Sequence, residues 1–371
     1  MRPAFSSTKQ AAAFALLLLM VLLSPVLAGK KFLPPREQAY ASLGWGYGPY
    51  PWIRRQIFEE TNDLDIVFLG SSHIMQGIDP GYVQAELSAK LGRPATVRTI
   101  AWGGPGYDGL FLITQDLLQH RRVHQLVFYD EKIQNFRNAA FTSLFRFGEN
   151  ARSLSGLSLS DKGLFYCASV IGMPRDLLGL LRPNIPAEPF PIATGYIEPQ
   201  DKTFIEAPMH LGAVPTRLGF NANRLIPDHA PFASFEPSAT NGIRASIYTV
   251  SRPSEAFKFS NAPLFPWEIH FAGQFARLVE QNHCQLVMLH VPILDQVRET
   301  VIQERAFWPA VFSTNMALVG VPPYQMFQSL TDDEIKKLYS DEGHLNRNGM
   351  ELFTPLVTPA LLKIYDAPAD H

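Results

Sequence analysis

Apolar runs and amphipathic segments alternate in the part of the chain that follows residue 60. A continuous apolar run over residues 65–69 predicts a buried strand, and apolar residues at helical spacing over 82–91 predict a helix. The alternation continues with a strand predicted over 95–101, a helix over 110–119 and a strand over 125–129. Strands that are covered by helices on both faces are continuously apolar, so this order predicts a parallel sheet.

The same alternation returns toward the C-terminus. A helix is predicted over residues 267–281, and a buried strand over 285–291 follows it. Further helices are predicted over residues 300–308, 332–339 and 348–364. The strand and helices of this part are expected to extend the sheet begun by the first part.

The predicted domain organisation follows from where this alternation stops. Residues 62–137 and 263–366 form the predicted α/β core. The segment 138–262 between them is rich in Phe, Pro, Asn and Ser, and we expect an insertion or cap with one helix at 173–181. Residues 29–61 are rich in Pro and Gly and are predicted to be a linker.

An almost entirely apolar run fills residues 11–28, after a start that contains Arg2 and Lys9. Its 18 residues are near the lower limit for crossing the hydrocarbon of a bilayer, which favours a membrane anchor. The small residues before Gly29 equally suit a cleaved signal peptide. Residues 1–28 are therefore predicted to be a signal peptide or anchor, and the protein to be exported as a membrane-anchored, periplasmic or extracellular chain.

Charge and composition indicate which partners and cofactors to expect. The formal net charge is −2 and no basic block occurs, so nucleic acid is not an expected partner. The two cysteines, Cys167 and Cys284, permit one disulfide in an oxidising compartment but do not establish it. The spacing of Cys and His residues is not typical of a metal site, and we predict neither a metal nor an organic cofactor.

Two short motifs carry side chains that could activate a hydroxyl. Ser71 and Ser72 follow the first predicted strand, and Asp341 and His344 stand three residues apart near the C-terminus. Ligands of parallel sheets bind at the carboxyl ends of the strands. A carboxylate that accepts a hydrogen bond from one imidazole nitrogen leaves the other nitrogen to face a serine. Taken singly, either motif also suits a helix start, with Ser or Asp as the capping residue.

Together the two motifs resemble blocks of the SGNH (GDSL-like) hydrolase superfamily. Its first block is Gly-Asp-Ser after the first strand, which Gly70-Ser71-Ser72 matches with Ser71 in place of Asp. Its last block is Asp-x-x-His before the last helix, which Asp341 and His344 match. The resemblance implies a flavodoxin-like three-layer α/β sandwich in which Ser72 is the nucleophile, His344 the base and Asp341 the group that orients it.

The resemblance also implies an oxyanion hole. Its donors would be the backbone N–H of Ser72 and that of Gly103 or Gly104, which follow the second predicted strand. The third block of the family, Gly-x-Asn-Asp, is not matched, because Asp130 stands where its oxyanion-binding Asn is expected. A carboxylate repels an oxyanion, so Asp130 cannot replace that amide, and Asn135 is the alternative donor.

Four residues are candidates for substrate contacts. His73 follows the proposed nucleophile, and His290 ends a predicted strand near the same edge of the sheet. Asp130 and Asn135 follow the third predicted strand. For both histidines, a packing or structural role is the alternative interpretation.

A Gly-Ser-Ser block behind an N-terminal apolar segment resembles the exported SGNH-like proteins of polymer O-acylation, of the alginate O-acetylation or teichoic acid D-alanylation type. This resemblance implies a serine esterase or O-acyltransferase that acts on an acylated glycan or a small ester, with a membrane acyltransferase as a candidate partner. One alternative is a catalytically inactive scaffold that binds glycan in a polymer modification or export complex. Another is a lipid-directed esterase that uses the Phe-rich insertion.

Overall fold

The computed structural model describes residues 5–27, 35–43, 50–101, 106–129, 144–180, 243–249, 254–260, 265–305, 308–312, 316–339 and 341–366. The α-helices are α1 Thr8–Leu27, α2 Arg36–Leu43, α3 Tyr50–Arg54, α4 Ser72–Gly77, α5 Pro80–Leu91, α6 Tyr107–His120, α7 Phe147–Asn150, α8 Leu159–Leu180, α9 Pro266–Gln281, α10 Trp308–Val311, α11 Pro323–Met326, α12 Asp332–Lys336 and α13 Arg347–Tyr365. The strands are β1 Leu64–Gly70, β2 Val97–Ala101, β3 Val123–Phe128, β4 Ser246–Thr249, β5 Phe257–Ser260, β6 Gln285–Leu289, β7 Ile302–Arg305 and β8 Ala317–Gly320.

Six of these strands form a mostly parallel sheet in the order β2-β1-β3-β6-β8-β4. The first five run parallel to one another, and β4 pairs antiparallel with β8. From β1 the chain moves outward to β2 and then returns to β3 on the other side of β1. The strand order therefore reverses between β1 and β3, and in open α/β sheets the crevice beyond the carboxyl ends at such a point binds ligands.

Helices cover both faces of this sheet. On a strand, side chains three positions apart point to opposite faces. The Gln125 amide donates to the backbone carbonyl of Leu361 in α13 (3.3 Å), whereas the Phe128 ring packs edge-on against Phe275 of α9 (5.3 Å between centroids). Helices α13 and α9 therefore lie on opposite faces. Helix α6 packs against α9, and α4 and α5 pack against α13.

The chain divides into two compact units, one formed by Met1–Leu43 and Arg137–Ile185 and the other by Gly44–Phe136 and Pro186–His371. The sheet belongs to the second unit. In the first unit, α8 packs along α1 and α2. The Tyr166 hydroxyl donates to the backbone carbonyl of Leu22 in α1, and Pro25 at the end of α1 is buried.

Helix α1 is the helix in the described ranges that is long and apolar enough to cross a membrane. Its 20 residues would span about 30 Å, which matches the hydrocarbon thickness of a bilayer. Most of its apolar side chains are not covered by other parts of the protein. A signal peptide and a membrane anchor both meet these criteria.

The segment predicted as a linker, residues 29–61, is helical in much of its described part. Helices α2 and α3 lie there, and a single π-helical turn, Arg55–Glu59, continues α3. Tyr40 of α2 and Tyr50 of α3 are fully buried. Helix α2 contains neither Pro nor Gly, so the Pro and Gly content of the whole segment did not indicate the helix within it, which burial of Tyr40 also stabilises.

The segment 138–262, predicted as an insertion or cap, contributes to the main sheet. Its strand β4 forms one edge of the sheet by pairing with β8. Neither strand was predicted from the sequence. Helix α8 begins at Leu159, well before the helix predicted over 173–181. The pairing of β4 with β8 joins segments about 70 residues apart, so no local sequence pattern indicates it.

The helix predicted over residues 300–308 is wrong over most of its length. Residues Ile302–Arg305 form β7, which pairs parallel with β5 in a separate two-stranded sheet, and α10 begins only at Trp308. The sequence Ile-Gln-Glu-Arg has good intrinsic helix propensity. Pairing with a strand about 45 residues earlier in the chain overrides that propensity.

Candidate active site

Ser72 lies directly beyond the carboxyl end of β1, as the first residue of α4. Ser71 caps this helix, because its Oγ accepts a hydrogen bond from the backbone N–H of His73 (3.2 Å). The two adjacent serines therefore have different positions: Ser71 satisfies the helix end and Ser72 points its hydroxyl toward the last loop of the fold. Ser72 is buried, with 6% of its surface exposed.

The structure brings the three side chains of the two motifs into one hydrogen-bonded series. The Ser72 Oγ lies 2.7 Å from Nε2 of His344. The Nδ1 of His344 lies 2.7 Å and 2.9 Å from the two carboxylate oxygens of Asp341. A carboxylate only accepts hydrogen bonds, so Nδ1 carries the proton and the lone pair of Nε2 faces the serine hydroxyl. This is the arrangement in which imidazole acts as a general base on an alcohol.

The loop that carries His344 is fixed at its C-terminal end by Asn346. The Asn346 side chain caps α13 by accepting from the backbone N–H of Gly349 (3.1 Å). Its Nδ2 donates to the carbonyls of Lys337 (2.7 Å) and Tyr339 (3.3 Å). Tyr339 also forms an antiparallel bridge with Leu345. One buried amide thus ties both ends of this loop to the start of α13.

A second set of contacts joins the same loop to the segment that follows β6. The backbone N–H of Leu294 donates to the carbonyl of Glu342 (2.9 Å), and the Tyr339 hydroxyl donates to the carbonyl of Pro292 (3.1 Å). The end of β6 and the His344 loop are therefore held together at the carboxyl edge of the sheet. Fixed backbone on both sides keeps His344 within reach of Ser72 without a bound substrate.

Asp341 is held as a carboxylate by its hydrogen bonds. Burial acts to raise its pKa, but the hydrogen bond and charge from His344 and the backbone N–H groups of Gly343 (2.8 Å) and His344 (2.9 Å) together outweigh it. The net result is a pKa below the ordinary value of an Asp. An ionised carboxylate in this position can orient an imidazole and stabilise an imidazolium.

The ring of His73 packs against two other rings at this site, stacked on Tyr129 and tilted against His344. Its ring centroid lies 4.6 Å from that of His344, with planes inclined by 30°, and 4.8 Å from that of Tyr129, with planes inclined by 18°. Its Nδ1 lies 3.1 Å from the Oγ of Ser71. Burial, and then the positive charge of His344, lower the pKa of His73 to about 3, although Asp341 acts in the opposite direction. His73 is therefore neutral at physiological pH.

The other predicted site residues have different outcomes. Gly103, Gly104, Asp130 and Asn135 lie outside the described residues. His290 is buried at the end of β6, and its ring packs edge-on against Phe257 of β5 (5.0 Å between centroids). In the described ranges no group of three or more His, Cys, Asp or Glu side chains could hold a metal ion. Cys167 and Cys284 are both free thiols.

Sequence reasoning missed Tyr129. This residue follows β3, one strand away from Ser72, and stacks on His73. The available signal was positional, because residues that follow neighbouring parallel strands meet at the same edge of the sheet. An aromatic residue directly after the third strand was therefore a candidate neighbour of the residues after the first.

Comparison with known proteins adds no family assignment to this geometry. No protein-family model matches the chain, and neither the curated proteins nor the solved structures yield a match.

Proposed function

We propose that the chain is a serine esterase or O-acyltransferase of the SGNH type. The observation that carries the proposal is the unbroken hydrogen-bond series from Ser72 Oγ through His344 to Asp341, with distances of 2.7 Å at each step. Ser72 and His344 are 272 positions apart along the chain. A base, an orienting carboxylate and a hydroxyl in this order are the groups required for acyl transfer through a serine.

In the proposed reaction, Ser72 Oγ attacks the carbonyl carbon of an ester while its proton passes to Nε2 of His344. The tetrahedral intermediate collapses by breaking the bond to the leaving alkoxide, which takes the proton back from His344 and leaves an acyl group on Ser72. Water or a sugar hydroxyl then gives its proton to His344 and attacks the acyl carbon. Release of Ser72 with that proton restores the resting state.

Charge on the intermediate would be stabilised by backbone donors. Ser72 is the first residue of α4, and the N–H groups of a first helical turn have no partner within the helix. The N–H of Ser72 would therefore donate to the oxyanion, with Gly103 or Gly104 as the expected second donor. Asp130 in the place of the usual Asn leaves the third donor unassigned.

The strand order supports the flavodoxin-like part of the proposal. If the five parallel strands are numbered by their order along the chain, their order across the sheet is 2-1-3-4-5. This is the order of flavodoxin-like doubly wound sheets. The antiparallel β4 is an addition at the edge beyond β8. Ser72 then stands at the switch point of the sheet, where such folds bind their ligands.

We propose further that the protein is exported and keeps α1 as a membrane anchor, and that it acts on ester-linked acyl groups of a surface polysaccharide. Retention of α1 is supported by its packing against α8, including the hydrogen bond from Tyr166 to the carbonyl of Leu22 and the burial of Pro25. A leader that is removed after export has no lasting need for such contacts. The glycan substrate and a membrane acyltransferase partner rest on the family resemblance.

Labelling with a fluorophosphonate tests the proposed nucleophile. Covalent labelling is expected on the peptide that contains Ser72. Ser72→Ala should abolish it, and His344→Ala should reduce its rate by several orders of magnitude. Ser88→Ala is the matched control, because Ser88 lies on α5 with its hydroxyl bonded to the backbone of Gln84 and should not affect labelling. Folded protein that is not labelled, and that does not hydrolyse acetyl esters, would refute the proposed enzymatic activity.

A catalytically inactive, glycan-binding scaffold is the second candidate. The observation that favours it is Asp130, whose carboxylate stands where the family has an oxyanion-binding amide. Loss of one such donor costs about 2.7–4 kcal/mol of transition-state stabilisation. Glycan binding that is unchanged by Ser72→Ala, together with no labelling of the folded wild type, would support the scaffold.

A further inference from the structure

The proposed mechanism leaves one titratable group at the site without a role. His73 is adjacent to the proposed nucleophile, packs its ring at a tilt of 30° against that of the proposed base His344, and hydrogen-bonds with Ser71. We propose that His73 is a positioning residue, a flat and neutral ring that fixes the plane of the His344 imidazole. The proposal rests on the proposed function for its kinetic consequence, but its structural consequence can be measured separately.

The hydrogen bonds of His344 leave one motion of its ring weakly restrained. Contacts to Asp341 and to Ser72 both lie along the edge of the imidazole. The χ2 torsion of a histidine is broad, so tilting of the ring about its bond to Cβ has only a small intrinsic cost. The ring of His73 packs against that of His344, with centroids 4.6 Å apart and planes inclined by 30°, and opposes further rotation of the His344 ring.

His73 is itself held on several sides, which makes it suitable as such a support. Tyr129 stacks on it, and Ser71 Oγ both accepts from its backbone N–H and lies 3.1 Å from its Nδ1. The loop of the base also approaches it closely. A Cβ added at Gly343 would lie 3.3 Å from Nε2 of His73, so glycine at this position allows the approach.

Neutrality matters because His344 becomes positive during each proposed acyl transfer. The groups that face His73 include, among the described residues, the imidazole of His344, the carboxylate of Asp341, the hydroxyl of Ser71 and the ring of Tyr129. A second imidazolium in this position would repel the charge on His344. The low pKa of His73 keeps it uncharged, so it can remain packed against an imidazolium without opposing its formation.

A pair of variants at position 73 separates a flat ring from a merely bulky side chain. His73→Phe keeps a flat ring of similar size, whereas His73→Leu keeps apolar volume without a flat face. The rate of fluorophosphonate labelling at Ser72 is expected to fall by less than about threefold in His73→Phe and by about 10- to 100-fold in His73→Leu. His73→Met replaces His73→Leu if the latter does not give folded protein.

The second measurement does not depend on activity. The proton on Nδ1 of His344, bonded to Asp341, should give a resolved downfield resonance in the proton NMR spectrum. It should persist in wild type and His73→Phe and broaden through exchange with water in His73→Leu.

The outcomes distinguish this proposal from the proposed function. An unlabelled wild type that shows this resonance pattern would reject the esterase and retain the positioning role. Equal labelling rates and equal resonances in the Phe and Leu variants would overturn the positioning role, as would equal losses in both.

Discussion

Acidification should destabilise the folded protein through His73, and His73→Phe should remove that part of the pH dependence. The folded protein holds the pKa of His73 at about 3, whereas an imidazole in the unfolded chain titrates near 6.5. Between these values the unfolded chain binds a proton at this position that the folded chain does not. Stability therefore rises with pH across this window, and it is lost as the pH falls below about 6.5.

The size of the effect follows from the two pKa values. In the unfolded chain, protonation of position 73 rises from about one quarter at pH 7 to nearly complete at pH 5, whereas the folded chain takes up almost no proton there. Integrating this difference gives about 2 kcal/mol of lost stability. The partly buried position of His73, and then the charge of the adjacent His344, are the physical causes of the low pKa.

Urea unfolding of wild type and His73→Phe at pH 7 and pH 5 measures this contribution. All other ionisable groups are common to the two proteins, so their contributions largely cancel in the difference between the two pH dependences. The wild type should lose about 2 kcal/mol more than the variant. Equal losses in the two proteins, or NMR titration of His73 near its ordinary pKa, would refute the reasoning.

Three further predictions concern the loop that carries the base. Asp341→Asn should lower the labelling rate at Ser72 by roughly 10²–10⁴-fold without unfolding the protein, and an unchanged rate would contradict the role of the carboxylate. Asn346→Ala should cost about 1–2 kcal/mol in urea unfolding through loss of the cap, and should also slow labelling because the loop is released. Gly349→Ala should cost about 1–3 kcal/mol, since its Cβ would lie 2.2 Å from the carbonyl oxygen of Leu338; a stability equal to that of wild type would contradict this contact.

The parallel part of the sheet could be predicted from sequence because each of its longer strands carries its own signal. The runs that became β1, β3 and β6 are apolar and lie between segments with helical spacing. Strand β8 has four residues ending at Gly320, too short a run to stand out beside neighbouring apolar residues. Strand β4 is recognisable only through its pairing with β8, about 70 residues later.

The candidate site was predictable as far as residue types and strand ends could indicate it. Ser72, Asp341 and His344 were identified from two motifs, and the structure brings them within hydrogen-bonding distance. The stacking of His73 was not predictable, because a residue next to a nucleophile can face substrate, solvent or the base. The direction of the His73 side chain depends on its position in the short helix α4 and on the packing of Tyr129 against its ring.

The central claim is that two loops distant in the chain meet to make an ordinary serine hydroxyl reactive. Rapid quenching of a reaction with an activated acetyl ester, followed by peptide mass spectrometry, tests it most directly. We expect an acetyl group on the peptide that contains Ser72 in wild type, and none on that peptide in His344→Ala. Ester turnover with no acylated Ser72, or equal acylation in His344→Ala, would contradict it.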